Sequence, residues 1–302
     1  MKAAAFDYTR AESLDDVLDL LRREGDEARV IAGGQSLVAM MAMRLARPTH
    51  LIDINHVDAL AGVAPAGHHV IIKACTRQTA AMASDSVRRD APLLAAALPH
   101  VGHIQTRNRG TIGGSLAHGD PTAEILLTAI ALGARVTLAS TAGARELDIT
   151  DFSIGAMETS IREDECLAEV HFPKPPAGLS VGAAVDEISP RAGDYAVIGA
   201  AAEIGLTEDG TCKHIRLGVS GAAPVPVLCA PTMEALMGTR LADSDIDEAA
   251  HLITPLLSPE SDVQASAAYR LRVAPGMLAR ATKAARDRAK THQERGAGSG
   301  AT

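Results

Sequence analysis

Residues 107–124 read RNRGTIGGSLAHGDPTAE, and residues 30–38 read VIAGGQSLV. Each stretch carries a glycine pair behind a β-branched lead-in, with a small hydroxyl residue just beyond. Gly33-Gly34 precede Ser36, and Gly113-Gly114 precede Ser115. Lacking a Cβ, glycine takes positive φ and lets a ligand come close to the backbone N–H groups. Successive N–H groups then form a partly positive concavity that suits phosphate oxygens. A single glycine pair is no more than a tight turn would need. Two such pairs on one chain point instead to a diphosphate held with one loop on each side. Neither G-x-G-x-x-G nor G-x-x-x-x-G-K-[ST] surrounds Gly33, so the common nucleotide loops do not explain it. The residues alone describe a phosphate-binding protein and leave its ligand open.

Upstream of the first pair, SLDDVLDLLRR (13–23) predicts a helix capped by Ser13, with Leu14, Val17, Leu18 and Leu21 on one face. ARVIA (28–32) is a buried strand leading into the glycines, SLVAMMAMRLA (36–46) a helix ended by Pro48, and THLIDI (49–54) a second strand. Together they make a βαβ unit, with Met40, Met41 and Met43 expected in its core. HHVIIKACT (68–76) is a strand, and Ala-rich helices fill the chain to about residue 102. Beyond the second pair, AEILLTAIALG (123–133) is a helix closed by Gly133, followed by the strands ARVTLAS (134–140) and ECLAEVHFP (165–173).

PKPP (173–176) is the strongest linker signal, and the domain boundary is expected there. Consecutive strands follow over 182–188, 195–206 and 214–222, the last two joined by a hairpin at Asp209-Gly210. The remainder reads as helical. It ends in an Ala/Arg/Lys helix over about 262–290 that Pro275-Gly276 should kink or split. The small-residue tail, 291–302, is expected to be disordered.

With 302 residues and 47% hydrophobic content, the chain can bury a real core and hold two domains. A net charge of −8 argues against nucleic-acid binding, which needs a clustered basic surface. Arg107 and Arg109 remain available to a single anionic ligand. Asp7, Arg10 and Glu12 interrupt any signal-like apolar run, so a cytoplasmic location is expected. Cys75, Cys166, Cys212 and Cys229 are far apart and form no C-x-x-C, which argues against an iron–sulfur or zinc site. No metal ligands are expected among the 11 histidines. His68-His69 reads as an exposed strand entry. His100 and His103 read as helix-end residues or pocket lining, and His118 as a pocket candidate.

VIAGGQSLVAMMAMRLARP (30–48) and RNRGTIGGSLAHGDPTAE (107–124) resemble the two FAD-binding signatures of the medium, flavin-carrying subunit of molybdenum hydroxylases. This is the family of xanthine dehydrogenase and carbon monoxide dehydrogenase. RAGDYAVIGAAAEI (191–204), GVSGAAPVPV (218–227) and AYRLRVAPGMLARA (268–281) extend the resemblance over almost the whole chain. It implies an α+β architecture. An FAD-binding domain of the PCMH or vanillyl-alcohol oxidase type would occupy 1–175, as two α/β subdomains meeting near residue 55. A smaller domain over 178–290 would combine a short antiparallel sheet with a helical bundle.

The resemblance also assigns FAD contacts to Ala32, Gly33, Gly34, Gln35, Ser36 and Leu37, and to Thr111, Ile112, Gly113, Gly114 and Ser115. Asp120 and Glu124 fall where relatives place polar contacts to the nucleotide, and Tyr195 matches a tyrosine that lies over the isoalloxazine ring. Many relatives have Asn where this chain has Ser115. A covalent flavin link through His118 or His103 stays open. The implied partners are a [2Fe-2S] small subunit and a molybdopterin-containing large subunit, assembled as a dimer of heterotrimers (a heterohexamer). The implied external acceptor is NAD, a quinone or O2. The chain itself would hold no catalytic acid or base. A free-standing FAD-dependent oxidoreductase and a flavin-free scaffold subunit are the other readings.

Overall fold

The Ser13 hydroxyl accepts the Asp16 N–H while the Asp16 carboxylate accepts the Ser13 N–H, so a reciprocal capping box opens α1 (Leu14–Glu24). The structure, a computed structural model, describes residues 2–299. Helix α1 buries Val17, Leu18 and Leu21 against a three-stranded parallel sheet. Its strands, β1 (Asp7–Arg10), β2 (Ala28–Ile31) and β3 (His50–Asp53), lie in the order β1-β3-β2. The short helix α2 (Leu37–Ala42) links β2 to β3 and completes the expected βαβ unit.

Helix α2 stops well before Pro48. Arg44 turns left-handed (φ 60°), its N–H bonds to the Met41 carbonyl, and the Leu45 N–H bonds to the Met40 carbonyl. These bonds close a Schellman motif. The expected methionine core is therefore only partly realised: Met41 is buried, but Met43, the C-cap just before the turn, is 54% exposed.

A second, antiparallel sheet is built from β4 (Val63–Ala66), β5 (His69–Lys73), β6 (Arg135–Ser140) and β7 (Gly143–Asp148), with β8 (Ser153–Gly155) and β9 (Glu158–Thr159) forming a separate small hairpin. Strand β10 (Cys166–Pro173) enters between β5 and β6, giving the order β4-β5-β10-β6-β7. The helices α3 (Gln78–Ala83), α4 (Asp85–Asp90), α5 (Pro92–Ala97), α6 (Ile104–Arg109), α7 (Ile112–His118) and α8 (Glu124–Leu132) are inserted between β5 and β6. A one-turn helix, α9 (Ile149–Phe152), follows β7. The second glycine pair thus lies at the start of α7, inside the insertion. The first lies at the exit of β2.

Past the prolines, β11 (Ser180–Ile188), β12 (Ile198–Leu206), β13 (Cys212–Ser220) and the short β14 (Val227–Leu228) form an antiparallel meander. The hairpin joining β12 to β13 carries Gly210 at φ 82°, as expected of Asp209-Gly210. Every residue of β12 is buried. One face of this sheet takes α10 (Ala230–Leu236), α11 (Asp243–Ala250) and the long α12 (Ala267–Ser299), while α5 and α8 cover the other.

The chain past residue 262 corrects two expectations. Helix α12 is not split at Pro275, which costs it one backbone bond, because Ala274, Met277, Leu278 and Ala281 on either side are all buried. It also continues past residue 290 to Ser299, although a disordered tail from 291 was expected. His292 bonds the Val181 carbonyl at 2.8 Å, and Gln293 reaches the Thr207 carbonyl, which ties that turn to the sheet. Residues 300–302 of the expected tail lie outside the described residues.

Candidate cofactor site

Gly33 brings the two signature stretches together. A Cβ there would run into the Arg109 carbonyl oxygen and lie 2.8 Å from the Gly110 Cα, so only glycine lets the β2 exit pack on the end of α6. Gly34 then turns left-handed at φ 71°. From Gly33 through Leu37, no backbone N–H finds an acceptor among the described residues, and Ser36 offers α2 no side-chain cap. Backbone donors are normally paired unless water or a ligand takes them. The loop borders a cleft of about 450 Å³ lined by Ala32, Gly33, Gly34, Gln35, Val38, Asp53, Asn55 and Arg109, among others. The loop thus presents a row of free backbone donors beside this cleft.

The second stretch behaves differently, and the expectation of two matched cradles is corrected. Thr111 caps α7 by accepting the Gly114 N–H at 3.0 Å. The Ile112 N–H bonds the Thr76 carbonyl at 3.0 Å, Gly113 bonds Ala74 at 2.9 Å, and Ser115 bonds Thr111 at 3.2 Å. These donors are committed within the protein because α7 starts directly against the end of β5. Gly113 is required there: a Cβ would sit 2.6 Å from the Ala74 Cα. Gly113-Gly114 is therefore a helix start packed on a strand end, and it contributes close approach rather than a row of free donors. Thr111, Ile112 and Gly113 are buried, Ser115 is half-buried and Gly114 is exposed.

Asp120, Glu124 and Tyr195 gather beyond the other end of α7. Asp120 is buried, and its Oδ1 accepts from the Thr122 N–H and hydroxyl at 2.8 and 2.7 Å. Glu124, in the first turn of α8, has its carboxyl pushed up to about 7, first by burial and further by the charges of Glu187 and Asp120. Tyr195 is 61% exposed. Its pKa is raised by desolvation first and then by the charges of Asp120 and Glu124. His100 lies 3.4 Å from Glu187, and this contact raises its pKa. His103 packs against Gly193, two residues before Tyr195. His118 is half-buried at the end of α7.

Three residues of the cleft region carry no sequence motif. The Asn55 amide donates to the Ala32 carbonyl at 2.7 Å and to Asp53 at 2.6 Å. Asp53 also accepts the Tyr8 hydroxyl at 2.5 Å. The Arg77 guanidinium donates to Asn55 Oδ1 at 2.6 Å and to the Arg109 carbonyl. Apart from the local Asn55–Asp53 bond, these partners lie 22 or more residues apart in sequence, so no local pattern could disclose them.

No group of metal-ligating side chains exists among the described residues. All four cysteines are buried, and burial pushes the thiols of Cys75 and Cys212 to about 11 and those of Cys166 and Cys229 to about 12. They are packing residues.

A loop of unpaired backbone donors at the mouth of a βαβ unit, an antiparallel second sheet and a C-terminal meander with a helical bundle suit a dinucleotide-binding protein of the flavoprotein class. Residues 4–175 match the FAD binding domain in molybdopterin dehydrogenase, and residues 183–285 match the CO dehydrogenase flavoprotein C-terminal domain. The chain belongs to this family: it is an FAD-binding medium subunit of the molybdenum hydroxylase type, an oxidoreductase component.

Among its relatives, the 6-hydroxypseudooxynicotine dehydrogenase complex subunit alpha of Paenarthrobacter nicotinovorans is 39% identical, over 97% of this chain and 99% of that protein. The carbon monoxide dehydrogenase medium chain of Afipia carboxidovorans is 35% identical, over 96% of this chain and 100% of that one. Among solved structures, quinoline 2-oxidoreductase from Pseudomonas putida superposes with a TM-score of 0.90 at 34% identity, covering 96% of this chain and 99% of that one.

Proposed function

We propose that this chain is the electron-exit subunit of a three-component molybdenum hydroxylase. Its partners would be a [2Fe-2S] small subunit and a molybdopterin-containing large subunit that hydroxylates the substrate. FAD accepts electrons singly and delivers them in pairs, the chemistry needed between iron–sulfur clusters and an external acceptor such as NAD, a quinone or O2. The observation that carries the reading is the row of unpaired N–H groups from Gly33 to Leu37 on the cleft. Ala32 to Leu37 would hold the diphosphate. Thr111 to Ser115 would let the nucleotide lie close to the backbone, while His118, Asp120, Glu124 and Tyr195 would contact it further along.

Helix α7, seven residues long, runs from the first of these groups to the second, about 10 Å from end to end at 1.5 Å per residue. A ligand touching both must be extended, as a dinucleotide is. The buried, scattered cysteines agree with iron–sulfur clusters being carried by another chain. A division of the chain at about residue 175, with 178–290 as a C-terminal unit, and a dimer of heterotrimers in the cytoplasm belong to the same proposal.

The test is to co-express the chain with its two partner subunits and mix the purified flavoprotein with dithionite-reduced small subunit. Rapid bleaching of the flavin absorbance is expected. A complex that holds FAD which the reduced clusters never bleach would sink the electron-transfer reading. A chain that folds and joins the complex without flavin would favour a scaffold.

A further inference from the structure

We infer that Arg77, acting with Asn55, is a positioning clamp that sets the two signature stretches against each other and pre-organises the phosphate-binding loop. The inference rests on the proposed assignment of that loop to FAD. Arg77 is not on the lining of the cleft, whereas Asn55 and Arg109 are. Its guanidinium instead bonds two residues of that lining, and it forks. One arm donates to the Arg109 carbonyl at the end of α6, the other to Asn55 Oδ1 at 2.6 Å. Asn55 carries the second connection onward, donating through Nδ2 to the Ala32 carbonyl at 2.7 Å. One side chain thus holds the first stretch through a relay and the second directly.

The direction of these bonds gives the clamp its consequence. In a trans peptide the carbonyl and the following N–H point opposite ways. Fixing the Ala32 carbonyl on Asn55 therefore turns the Gly33 N–H away from Asn55, at the start of the loop whose donors at Gly33, Gly34, Gln35 and Ser36 have no acceptor among the described residues. Fixing the Arg109 carbonyl holds the surface on which Gly33 rests, the contact that no Cβ would permit.

The backbone around Arg77 is itself locked to the second stretch. Gln78 N–H bonds the Gly110 carbonyl at 2.9 Å, Ile112 N–H bonds Thr76 at 3.0 Å, and Arg77 bridges Thr111. Asn55 is anchored in turn by Asp53, whose other oxygen accepts Tyr8. A rigid fork between two carbonyl-type acceptors suits arginine's planar geometry and not the single ammonium of lysine.

The experiment compares the full chain with Arg77→Met, Arg77→Lys, Asn55→Ala and the Arg77→Met/Asn55→Ala double variant. FAD affinity is read from flavin fluorescence, ADP affinity by competition, and the melting temperature without flavin as a check on folding. Where the lone chain takes up no FAD, flavin occupancy of the co-expressed complex is measured instead. Arg77→Met and Asn55→Ala should each weaken FAD and ADP alike, by about tenfold or more, and Arg77→Lys by less. The double variant should lose less than the sum of the two single losses, because both singles break the shared Arg77–Asn55 bond. The flavin-free melting temperatures should change little.

Full affinity in Arg77→Met, additive losses in the double variant, or losses matched by collapse of the flavin-free protein would overturn the clamp. If Arg77→Met fails to fold, Arg77→Lys and Asn55→Ala decide by the same criteria. Gly33→Val separates this from failure of the underlying reading. Undiminished FAD binding in Gly33→Val removes the site assignment itself, whereas loss there with retention in Arg77→Met removes only the clamp.

Discussion

Glu124 shows how one residue's surroundings set a measurable property. Its carboxyl sits at about 7, raised by desolvation first, with Glu187 on β11 and Asp120 before α8 adding to the effect and His100 opposing it. Tyr195 feels the charges of Asp120 and Glu124 as well. A carboxyl raised in the folded state binds its proton more tightly there than in the unfolded chain. Its contribution to stability is thus complete below the ordinary carboxylate range and is lost as pH rises through about 7. His100, also raised, loses its contribution in the same direction as it deprotonates. Melting temperature should therefore fall between about pH 5 and pH 7.5, and Glu124→Gln should flatten much of that slope. An unchanged slope in Glu124→Gln would assign the dependence to the His100–Glu187 pair. At this scale Asp120, Glu124 and Tyr195 were named from the sequence, while Glu187 and His100 became their neighbours only through the packing of β11 against α5 and of α5 against α8.

Elements explain why two similar glycine pairs do different work. At the exit of β2 the chain turns freely, and its donors remain open. At α7 the same pair starts a helix against β5, and its donors are used. Gly113→Ala should accordingly harm folding itself: its Cβ meets Ala74, and overpacking of this kind costs about 1–3 kcal/mol. A thermal melt of the flavin-free protein reads this directly, and an unchanged melt would mean that α7 shifts at no cost. Pro275 makes the opposite case. Its neighbours hold α12 together despite the missing donor, so Pro275→Ala should restore a helix bond and raise stability, by up to about 3 kcal/mol. A destabilised Pro275→Ala would show that the ring itself is needed in the packing. The proline was legible in the sequence. That the helix passes through it was not, because the compensating burial comes from β11 and β12, about 70–95 residues upstream.

At the scale of the molecule, the cleft is assembled from β2, β3, α2 and the end of α6, so cofactor binding should stabilise the whole chain and not only one loop. With FAD at a hundredfold excess over its dissociation constant, the gain is about 2.7 kcal/mol. A melt followed by far-UV circular dichroism should show one shifted transition. A shift confined to a minor early phase would mean that the site unfolds separately. The sequence by itself determined the capped α1, the βαβ start, the buried strand Cys166–Pro173, the C-terminal meander and the two signature stretches. Each depends on periodicity, capping or turn chemistry within a few residues. Only the tertiary structure decided which donors stay free, that Gly33 rests on Arg109, and that Arg77 and Asn55 join the two stretches. Those outcomes depend on atoms far apart in the chain that come within hydrogen-bond reach only when the sheets and helices pack, and local pattern carries no record of such distances.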